Sequence, residues 1–552
     1  MPVTDSGEED DGGLVVSQPL PRRGRWRPRL DPPALVALVL GVAGVGYRLL
    51  LTLSTTPASN SDEATFGLAA LHIAAGQERP VFLYGQHYMG MLESYLAAPL
   101  LALFGPSWPV LRLPLLALYA LFLWLIHRLT RRISSPWFAT FVVGLLALGS
   151  ERVIRDQLTV VGGRSEGKVA VLLMLLFVVG LAQGTLRHRR LAVGLFGLLA
   201  GVAVWSDWLI LPYVGAATLA LLWAARRDLL GWAGVLLVAG FTLGVAPMIA
   251  YYVTAGPGTN PVSVLRSVNT EGYPYPPLTQ RVSGAVLEGV PLATGLCPID
   301  GCGRWPEWFG LLYPVLLVIA AVVAVVAYRR TIGRAARVAP VVHLALLVGA
   351  ALTLLSYARS PLAATDPLAN ARYLALLHLS LPAVLWPLWQ AAVAALRGTA
   401  GVFGRLAGTL ATALLAALAV TAALVTVLFV ATGTAAPRAN ERAARELADT
   451  LRASGPHEVY GTYWTCNRLI FNTAEEVACA VLDDGLAPGQ NRYPAYWDRV
   501  VAASRPGYVV ETGSLQEQRL RHLLGERADA SLIADIDEYR VYHPETPLRP
   551  SR

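Results

Sequence analysis

Long apolar runs alternate with short polar segments over most of this chain. About 20 apolar residues in a helix cross the hydrocarbon core of a bilayer, and runs near that length recur. The pattern predicts eleven membrane-spanning helices, at residues 34–53, 110–126, 137–148, 169–182, 191–205, 209–224, 230–253, 309–328, 341–357, 373–396 and 406–430. Several runs are short, so we expect those helices to begin in the neighbouring polar segments.

The apolar runs stop near residue 437, and polar and apolar positions then alternate over shorter distances. This pattern predicts strands at 459–462, 508–511 and 539–542 and helices at 438–453 and 514–524. The predicted fold class is an α-helical polytopic membrane protein, with a transmembrane domain at 34–432 and a small α/β domain at 437–552. The first 33 residues are polar and change from acidic to basic, which predicts a disordered tail.

Charge predicts how the helices are oriented. Charged residues make up 15% of the chain, below the roughly 25% of soluble domains. Lys and Arg concentrate in short loops near 127–132, 187–190, 226–227, 329–337 and 397–405, which the positive-inside rule assigns to the cytoplasm. The net charge of +8 therefore needs no nucleic-acid partner. We expect a plasma-membrane protein with its N-terminus cytoplasmic and its α/β domain extracytoplasmic.

Four outer loops follow from this orientation, at 54–108, 149–168, 254–308 and 358–372. Residues 88–104 are apolar enough for a short span. A crossing there would move the basic cluster at 127–132 to the outer side, against the charge bias. We therefore interpret 88–104 as a helix lying on the outer face of the membrane.

The four cysteines all fall on the predicted outer side, in two local pairs. Cys297 and Cys302 lie in the 254–308 loop, and Cys466 and Cys479 lie in the α/β domain. Disulfides persist in oxidising compartments, so two disulfides are expected. A zinc site is the alternative, but no histidines at a matching spacing accompany the cysteines.

Two adjacent acids, Asp62 and Glu63, follow the first apolar run. Charge is costly at a membrane, and a carboxylate there can act as a general base towards a hydroxyl. The alternative is structural. Ser61 would cap a helix that continues to Ile73, and acids in its first turn would favour the helix dipole. Either acid could be the base.

The same loop continues with polar and aromatic side chains that can stack on sugars and hydrogen-bond to them. They are Tyr84, Gln86, His87, Tyr88 and Glu93. An interfacial aromatic belt would explain the tyrosines but not the other three residues. All five are therefore candidates for substrate binding.

The second outer loop ends in a Gly-Gly pair followed by Arg164, Glu166 and Lys168. Glycines allow a close approach of the backbone to a ligand. The two cations could hold a phosphate, and Glu166 could support a base or a metal ion. The alternative is an ordinary turn and helix start, with Lys168 extending towards the interface. Glu151 and Asp156, earlier in this loop, are expected to be solvated.

Arg372 and Tyr373 open a late apolar run from the outer side. A guanidinium binds phosphate through two hydrogen bonds, and an arginine on the outer side goes against the positive-inside bias. Arg372 is therefore a candidate phosphate ligand, with Tyr373 beside it. Residues 269–277 of the long loop, rich in Tyr and Pro, could cover a substrate or could pack as a plug.

These features together resemble the GT-C superfamily of polytopic glycosyltransferases, and within it the group of protein O-mannosyltransferases and aminoarabinose transferases. The resemblance rests on Asp62-Glu63, the helix and the 84–95 segment that follow, the Gly-rich second loop, and Arg372-Tyr373. It covers roughly residues 34–396. The C-terminal domain departs from the pattern, because it contains no motif that matches a known acceptor-binding domain.

The resemblance implies a membrane glycosyltransferase whose donor is a sugar on a polyprenyl phosphate. It implies Asp62 as the base, with Glu63 as the neighbouring alternative, and Arg372 as the ligand of the donor phosphate. A single inverting displacement onto a hydroxyl of a glycan, lipid or protein acceptor is expected. No cofactor is assigned, and a divalent metal ion is left open. The alternative function is a carrier or flippase for a lipid-linked glycan, although no repeated halves with polar breaks at mid-membrane are evident.

Overall fold

The apolar runs form long helices. The computed structural model describes residues 31–256, 275–298, 301–399, 401–546 and 548. Within these ranges ten helices are long and apolar enough to cross a membrane: Pro32–Leu53, Trp108–Ile133, Arg164–Gln183, Arg189–Ser206, Trp208–Ala225, Trp232–Thr254, Glu307–Arg330, Arg334–Arg359, Pro367–Leu396 and Val402–Thr432. Helices Pro136–Ala147 and Glu151–Leu158 meet at 91° and add an eleventh span if the pair is counted as one. The prediction of a polytopic α-helical membrane protein is confirmed.

Ion pairs between helix ends show which loops lie together. At one end of the bundle Arg131 pairs with Asp31 at 2.6 Å, and Arg189 pairs with Asp228 at 2.6 Å. Successive spans alternate in direction when the bent pair counts as one span, so all five basic loops lie at this end. The loops that carry the candidate site residues lie at the opposite end. The assignment of the basic end to the cytoplasm stays a prediction.

The Arg164–Gln183 helix lies at the centre of the bundle. It contacts the helices Trp108–Ile133, Arg189–Ser206, Leu211–Ala225 and Arg334–Arg359. Apolar side chains from these helices form one continuous buried core. The first residues of this central helix are polar, so they lie where the core meets the loops at the end opposite the basic loops.

The long 254–308 loop is described only in part. Its described residues form three short helical segments, Leu278–Ser283, Gly284–Gly289 and Val290–Ala293. A disulfide joins Cys297 to Cys302. The 269–274 part of the segment considered as a cover or plug lies outside the described residues, as do residues 1–30 of the expected tail.

The first loop folds as a helix, a hairpin and a second helix. The helix Ser61–Ala74 is capped by Asn60, whose side chain accepts a hydrogen bond from the amide of Glu63 at 2.9 Å. The cap is thus one residue earlier than expected from Ser61. Strands β1 (Phe82–Leu83) and β2 (Gln86–Gly90) pair antiparallel. The helix Leu92–Phe104 has 13 residues, fewer than the roughly 20 that a span needs.

The C-terminal residues form a mixed five-stranded sheet in the order β4-β3-β5-β7-β6. Its strands are β3 (Glu458–Gly461), β4 (Ala478–Val481), β5 (Gly507–Glu511), β6 (Leu532–Ile536) and β7 (Tyr539–Tyr542). Strand β3 is parallel to β4 and β5, whereas β7 is antiparallel to β5 and β6. The accompanying helices are Ala435–Ser454, Tyr463–Asn472, Pro494–Ala502 and Leu515–Leu524. Strands β4 and β6 and the two middle helices had not been predicted.

The C-terminal domain packs directly on the first loop. The helices Ser61–Ala74 and Tyr463–Asn472 contribute to a single apolar core, in which Phe66 and Phe471 are both fully buried. A disulfide between Cys466 and Cys479 fastens the Tyr463–Asn472 helix to β4. Residues far apart in sequence therefore meet in one rigid layer at this end of the bundle.

Candidate active site

A cavity of about 620 Å³ lies between the helix ends, the loops and the C-terminal domain. The residues that line it come from both early loops, from the long loop, from the segment before the late span and from the C-terminal domain. They are Asn60, Asp62, Glu151, Arg152, Arg155, Asp156, Thr159, Val161, Arg164, Leu292, Pro298, Asp366, Leu368, Ala369, Arg372 and Trp464. The lining thus includes Asp62, Arg164 and Arg372 from the sequence-predicted set.

Asp62 reaches the cavity from the first turn of the Ser61–Ala74 helix. Its Oδ1 atom accepts hydrogen bonds from the phenol of Tyr463 at 2.5 Å and from Nη2 of Arg492 at 2.9 Å. The side chain is 31% exposed. Among the described residues none donates a hydrogen bond to Oδ2. The carboxylate is thus held by one oxygen, and the other is left for a ligand.

Glu63 occupies a different environment although it is the next residue. Its two carboxylate oxygens accept hydrogen bonds from Arg112 at 2.8 Å and 2.6 Å, and the backbone amide of Val160 donates to it at 3.2 Å. The Glu63 side chain is fully buried, and Arg112 is 1% exposed. Glu63 does not line the cavity. It ties the first loop to the second span and to the second loop.

Arg372 faces the same cavity as Asp62. Its guanidinium carbon lies 5.3 Å from the centre of the Tyr373 ring, a cation–π contact. Within the described parts of the chain no carboxylate pairs with Arg372, and its buried Nε atom has no hydrogen-bond partner. The arginine is therefore oriented by an aromatic ring and has no carboxylate at ion-pair distance among the described residues.

The helix Glu151–Leu158 adds charges that sequence analysis did not assign to the site. Arg152 pairs with Asp156 at 2.5 Å, and Arg155 pairs with Glu151 at 2.6 Å. Asp156 is only 5% exposed, so the expectation that it would be solvated is wrong. The i,i+4 spacing of both pairs was the available signal, because residues four apart lie on the same face of a helix.

The second-loop candidates separate into different environments. Arg164 lines the cavity, with Nη1 3.4 Å from Asp156. Glu166 instead accepts a hydrogen bond from the amide of Gly163 at 3.0 Å, and the Lys168 ammonium lies buried 5.8 Å from the ring of Phe122. Neither lines the cavity, although both belong to the helix that Arg164 begins.

The Gly-Gly pair has a packing role at this turn. Gly162 and Gly163 have φ values of +78° and +82°, which side chains rarely adopt. A Cβ atom on Gly163 would lie 2.0 Å from Cβ of Asp207. The turn therefore needs glycine for its backbone conformation and for its close contact with the following spans.

The hairpin residues lie beside the cavity rather than on its lining. The phenol of Tyr84 donates to Glu78 at 2.6 Å, and Nδ1 of His87 is 2.5 Å from the phenol of Tyr251. Burial lowers the pKa of His87. Gln86 lies in the same half-buried strand β2. None of the three lines the cavity.

Tyr88 and Glu93 lie deeper. Burial raises the pKa of the Tyr88 phenol. Glu93 is 3% exposed and accepts a hydrogen bond from the amide of Gly162 at 2.8 Å. Its burial and the neighbouring Glu166 raise the pKa of Glu93 well above the ordinary range. The buried Glu93 side chain therefore holds the backbone of the second loop at Gly162.

Three residues of the C-terminal domain belong to the site and were not found from sequence. Trp464 lines the cavity, and Tyr463 and Arg492 hold Asp62. The signal that was available is weak: Tyr463 and Trp464 lie just before Cys466, which a disulfide would make rigid. Nothing in the sequence around Arg492 links it to the first loop.

No metal ligand set is assigned to this site. Across the described ranges, no group of three or more His, Cys, Asp or Glu side chains is arranged to hold a metal ion. Three of the carboxylates that line the cavity, Asp62, Glu151 and Asp156, pair with arginines. The fourth, Asp366, accepts a hydrogen bond from the amide of Ala369.

Comparison with solved structures identifies proteins of similar fold. No protein-family model and no curated protein sequence matches this chain. The chain is similar to ArnT from Cupriavidus metallidurans bound to undecaprenyl phosphate, with a TM-score of 0.53 and 13% identity over 92% of this chain and 97% of that chain. It is also similar to the apo oligosaccharyltransferase of Archaeoglobus fulgidus, with a TM-score of 0.49 and 14% identity over 87% and 69% of the two chains. The chain is therefore a polytopic membrane protein with a GT-C-like fold.

Proposed function

We propose that this protein is a membrane glycosyltransferase that moves a sugar from a polyprenyl-phosphate donor to an acceptor hydroxyl. One observation carries the proposal. Asp62, partly exposed with one free oxygen, and Arg372, which has no carboxylate partner in the described chain, line the same cavity. The fold likeness to ArnT, a protein bound to undecaprenyl phosphate, supports a lipid-phosphate donor.

Asp62 is the proposed general base. It accepts the proton of the acceptor hydroxyl while the oxygen attacks the anomeric carbon of the donor sugar. A new carbon–oxygen bond forms on one face of the sugar, the bond to the phosphate oxygen breaks on the other, and polyprenyl phosphate leaves with the electron pair. Such a single displacement inverts the anomeric centre. General-base catalysis contributes about 10²–10⁴-fold to the rate.

Arg372 is the proposed ligand of the donor phosphate. A guanidinium binds phosphate oxygens through two charge-assisted hydrogen bonds and stabilises the charge that develops on the leaving group. Arg152 and Arg164 line the same cavity but share Asp156. Among the arginines that line the cavity, Arg372 is the one with no carboxylate at ion-pair distance in the described chain, so it is the best placed to meet an added anion.

The position of the cavity suits a donor that stays in the bilayer. It opens among helix ends, so the polyprenyl tail can remain in hydrocarbon while the sugar phosphate enters between the loops. The basic loops at the other end favour an orientation with the cavity on the outer face. The acceptor is a hydroxyl of a glycan, lipid or protein.

The experiment compares the two neighbouring acids with the purified protein. A panel of undecaprenyl-phosphate sugars, radiolabelled in the sugar, is incubated with an envelope fraction as the source of acceptor. Asp62→Asn should lower the rate of transfer by about 10²–10⁴-fold. The double variant Glu63→Gln/Arg112→Gln, which keeps a neutral hydrogen-bonded pair, should retain transfer.

Full transfer by Asp62→Asn would reject the proposed base. If the wild-type protein binds these donors and moves them across vesicles but transfers no sugar, the protein is a carrier and the enzyme proposal is wrong.

A further inference from the structure

The described hydrogen bonds to the Asp62 carboxylate come from the C-terminal domain. The phenol of Tyr463 donates to Oδ1, and Nη2 of Arg492 donates to the same oxygen. Arg492 also donates through Nε to the phenol oxygen of Tyr463 at 2.5 Å. The three side chains form a closed triangle of hydrogen bonds, which fixes the rotation of the carboxylate.

The two donors are themselves held in place. Nη1 of Arg492 donates to the carbonyl of Tyr84 in the hairpin at 3.3 Å, and the arginine side chain is only 5% exposed. The hydroxyl of Ser61 donates to the carbonyl of Tyr463, which joins the starts of the two facing helices. Four residues further along each helix, Asn467 donates to the hydroxyl of Thr65 at 2.9 Å.

The protonation of Tyr463 matches its role as a donor. Burial and the negative charge of Asp62 raise the pKa of the Tyr463 phenol above its ordinary value. The phenol therefore keeps its proton throughout the physiological range. The neutral phenol and the arginine therefore both donate hydrogen bonds to Oδ1 of Asp62.

We propose that Tyr463 and Arg492 are positioning residues for Asp62, and that the C-terminal domain thereby completes the active site. This inference rests on the proposed function, because it assigns the two residues a part in the base catalysis of Asp62. Neither residue is part of the cavity lining. They hold Oδ1 so that Oδ2 stays available to the acceptor hydroxyl.

The test uses a matched pair of tyrosine substitutions at the same interface. Tyr463→Phe removes the hydroxyl that holds Asp62. Tyr493→Phe removes a hydroxyl that donates to Glu78 at 2.8 Å in the same first loop and does not touch Asp62. A hydrogen bond to a charged group contributes enough for Tyr463→Phe to lower kcat by about 10- to 100-fold. Its KM for the donor that the wild type uses should not change.

The control variant Tyr493→Phe should keep the wild-type kcat. Arg492→Gln should lower kcat, and Arg492→Lys, which keeps the charge, should restore part of it. If Tyr463→Phe lowers the melting temperature, the ratio of the kcat values of Arg492→Lys and Arg492→Gln tests the positioning role instead. A purely structural loss would lower kcat equally in both variants. Equal kcat values for Arg492→Gln and Arg492→Lys would then overturn the inference.

Asp62→Asn separates this inference from the proposed function. If Asp62→Asn loses transfer while Tyr463→Phe is folded and has the wild-type kcat, only the positioning role is wrong. If Asp62→Asn transfers as well as the wild type, the proposed base itself is wrong.

Discussion

Asp62 and Glu63 lie on the same helical turn, and each is paired with an arginine, yet the two ion pairs belong to different parts of the molecule. Glu63 and Arg112 lie inside the layer between the first loop and the second span, with both side chains buried. Asp62 and Arg492 lie at the wall of the cavity, where the carboxylate is 31% exposed. Burial therefore separates the two acids, although their sequence context is shared.

The difference indicates what each pair can do. A buried pair with both oxygens occupied has no free lone pair directed to a substrate, and breaking it leaves an unpaired charge in the interior. At the cavity wall, Asp62 keeps its arginine on Oδ1 and still has a second oxygen that can meet a ligand. Adjacent acids can thus serve the fold and the chemistry separately.

The largest expected effect is on stability, when the arginine of each ion pair is replaced by methionine. Arg112→Met leaves Glu63 buried without a partner and should destabilise the protein by about 3–5 kcal/mol. Arg492→Met leaves Asp62 with the Tyr463 hydroxyl and with solvent, so it should destabilise the protein less than Arg112→Met does. Thermal melting of both variants in detergent measures the contrast. Equal losses of stability would show that burial does not distinguish the two acids.

A second prediction tests the cation on the opposite wall of the cavity. Arg372→Ala removes a charged hydrogen-bond donor from the phosphate and should raise the KM for the lipid-linked donor by about 10- to 100-fold. Arg155→Ala is the control, since Arg155 lines the same cavity but is paired with Glu151 and its side chain is 45% exposed. Steady-state kinetics at varied donor concentration measure both. Similar KM values for the two variants would remove the special role of Arg372.

The smallest expected effect is a pH dependence of stability that comes from Glu93. This buried acid has no arginine at ion-pair distance in the described chain. The pKa of Glu93 is raised by burial and by Glu166, so its neutral form is favoured in the folded state. The free energy of unfolding should therefore fall as pH rises from the ordinary value near 4.3 through the raised pKa. Glu93→Gln should remove this decline while keeping an acceptor for the Gly162 amide.

Melting temperatures of the wild type and Glu93→Gln, taken from acidic to alkaline pH, check this expectation. The melting temperature of Glu93→Gln should rise relative to that of the wild type as pH rises. Parallel curves would indicate that the pKa of Glu93 is not raised in the folded protein.

Hydrophobic length was enough to predict the bundle. Each long apolar run became a helix. The run at 137–148 became the 12-residue helix Pro136–Ala147, which meets the next helix at 91°. In the C-terminal domain the strand Ala478–Val481 was missed, since it is fully buried and its short run lacks the alternation of an exposed strand.

The site was predicted only where its signal is local. Asp62 and Arg372 are charges next to apolar runs, and such positions can be recognised in one sequence. The separation of Asp62 from Glu63 depends on arginines 49 and 430 positions away, which no local pattern reveals. The same limit applies to Tyr463, which is joined to Asp62 across 401 positions.

The contact between Asp62 and Arg492 also has a consequence for biosynthesis. The two residues are separated by 430 positions, and Arg492 follows every span, including the last one, Val402–Thr432. A ribosome makes the chain from its N-terminus, so the walls of the cavity are synthesised and inserted before the group that holds Asp62 exists. On the proposed mechanism, full activity begins only when translation has passed the membrane domain, and a partly inserted chain would consume little lipid-linked sugar.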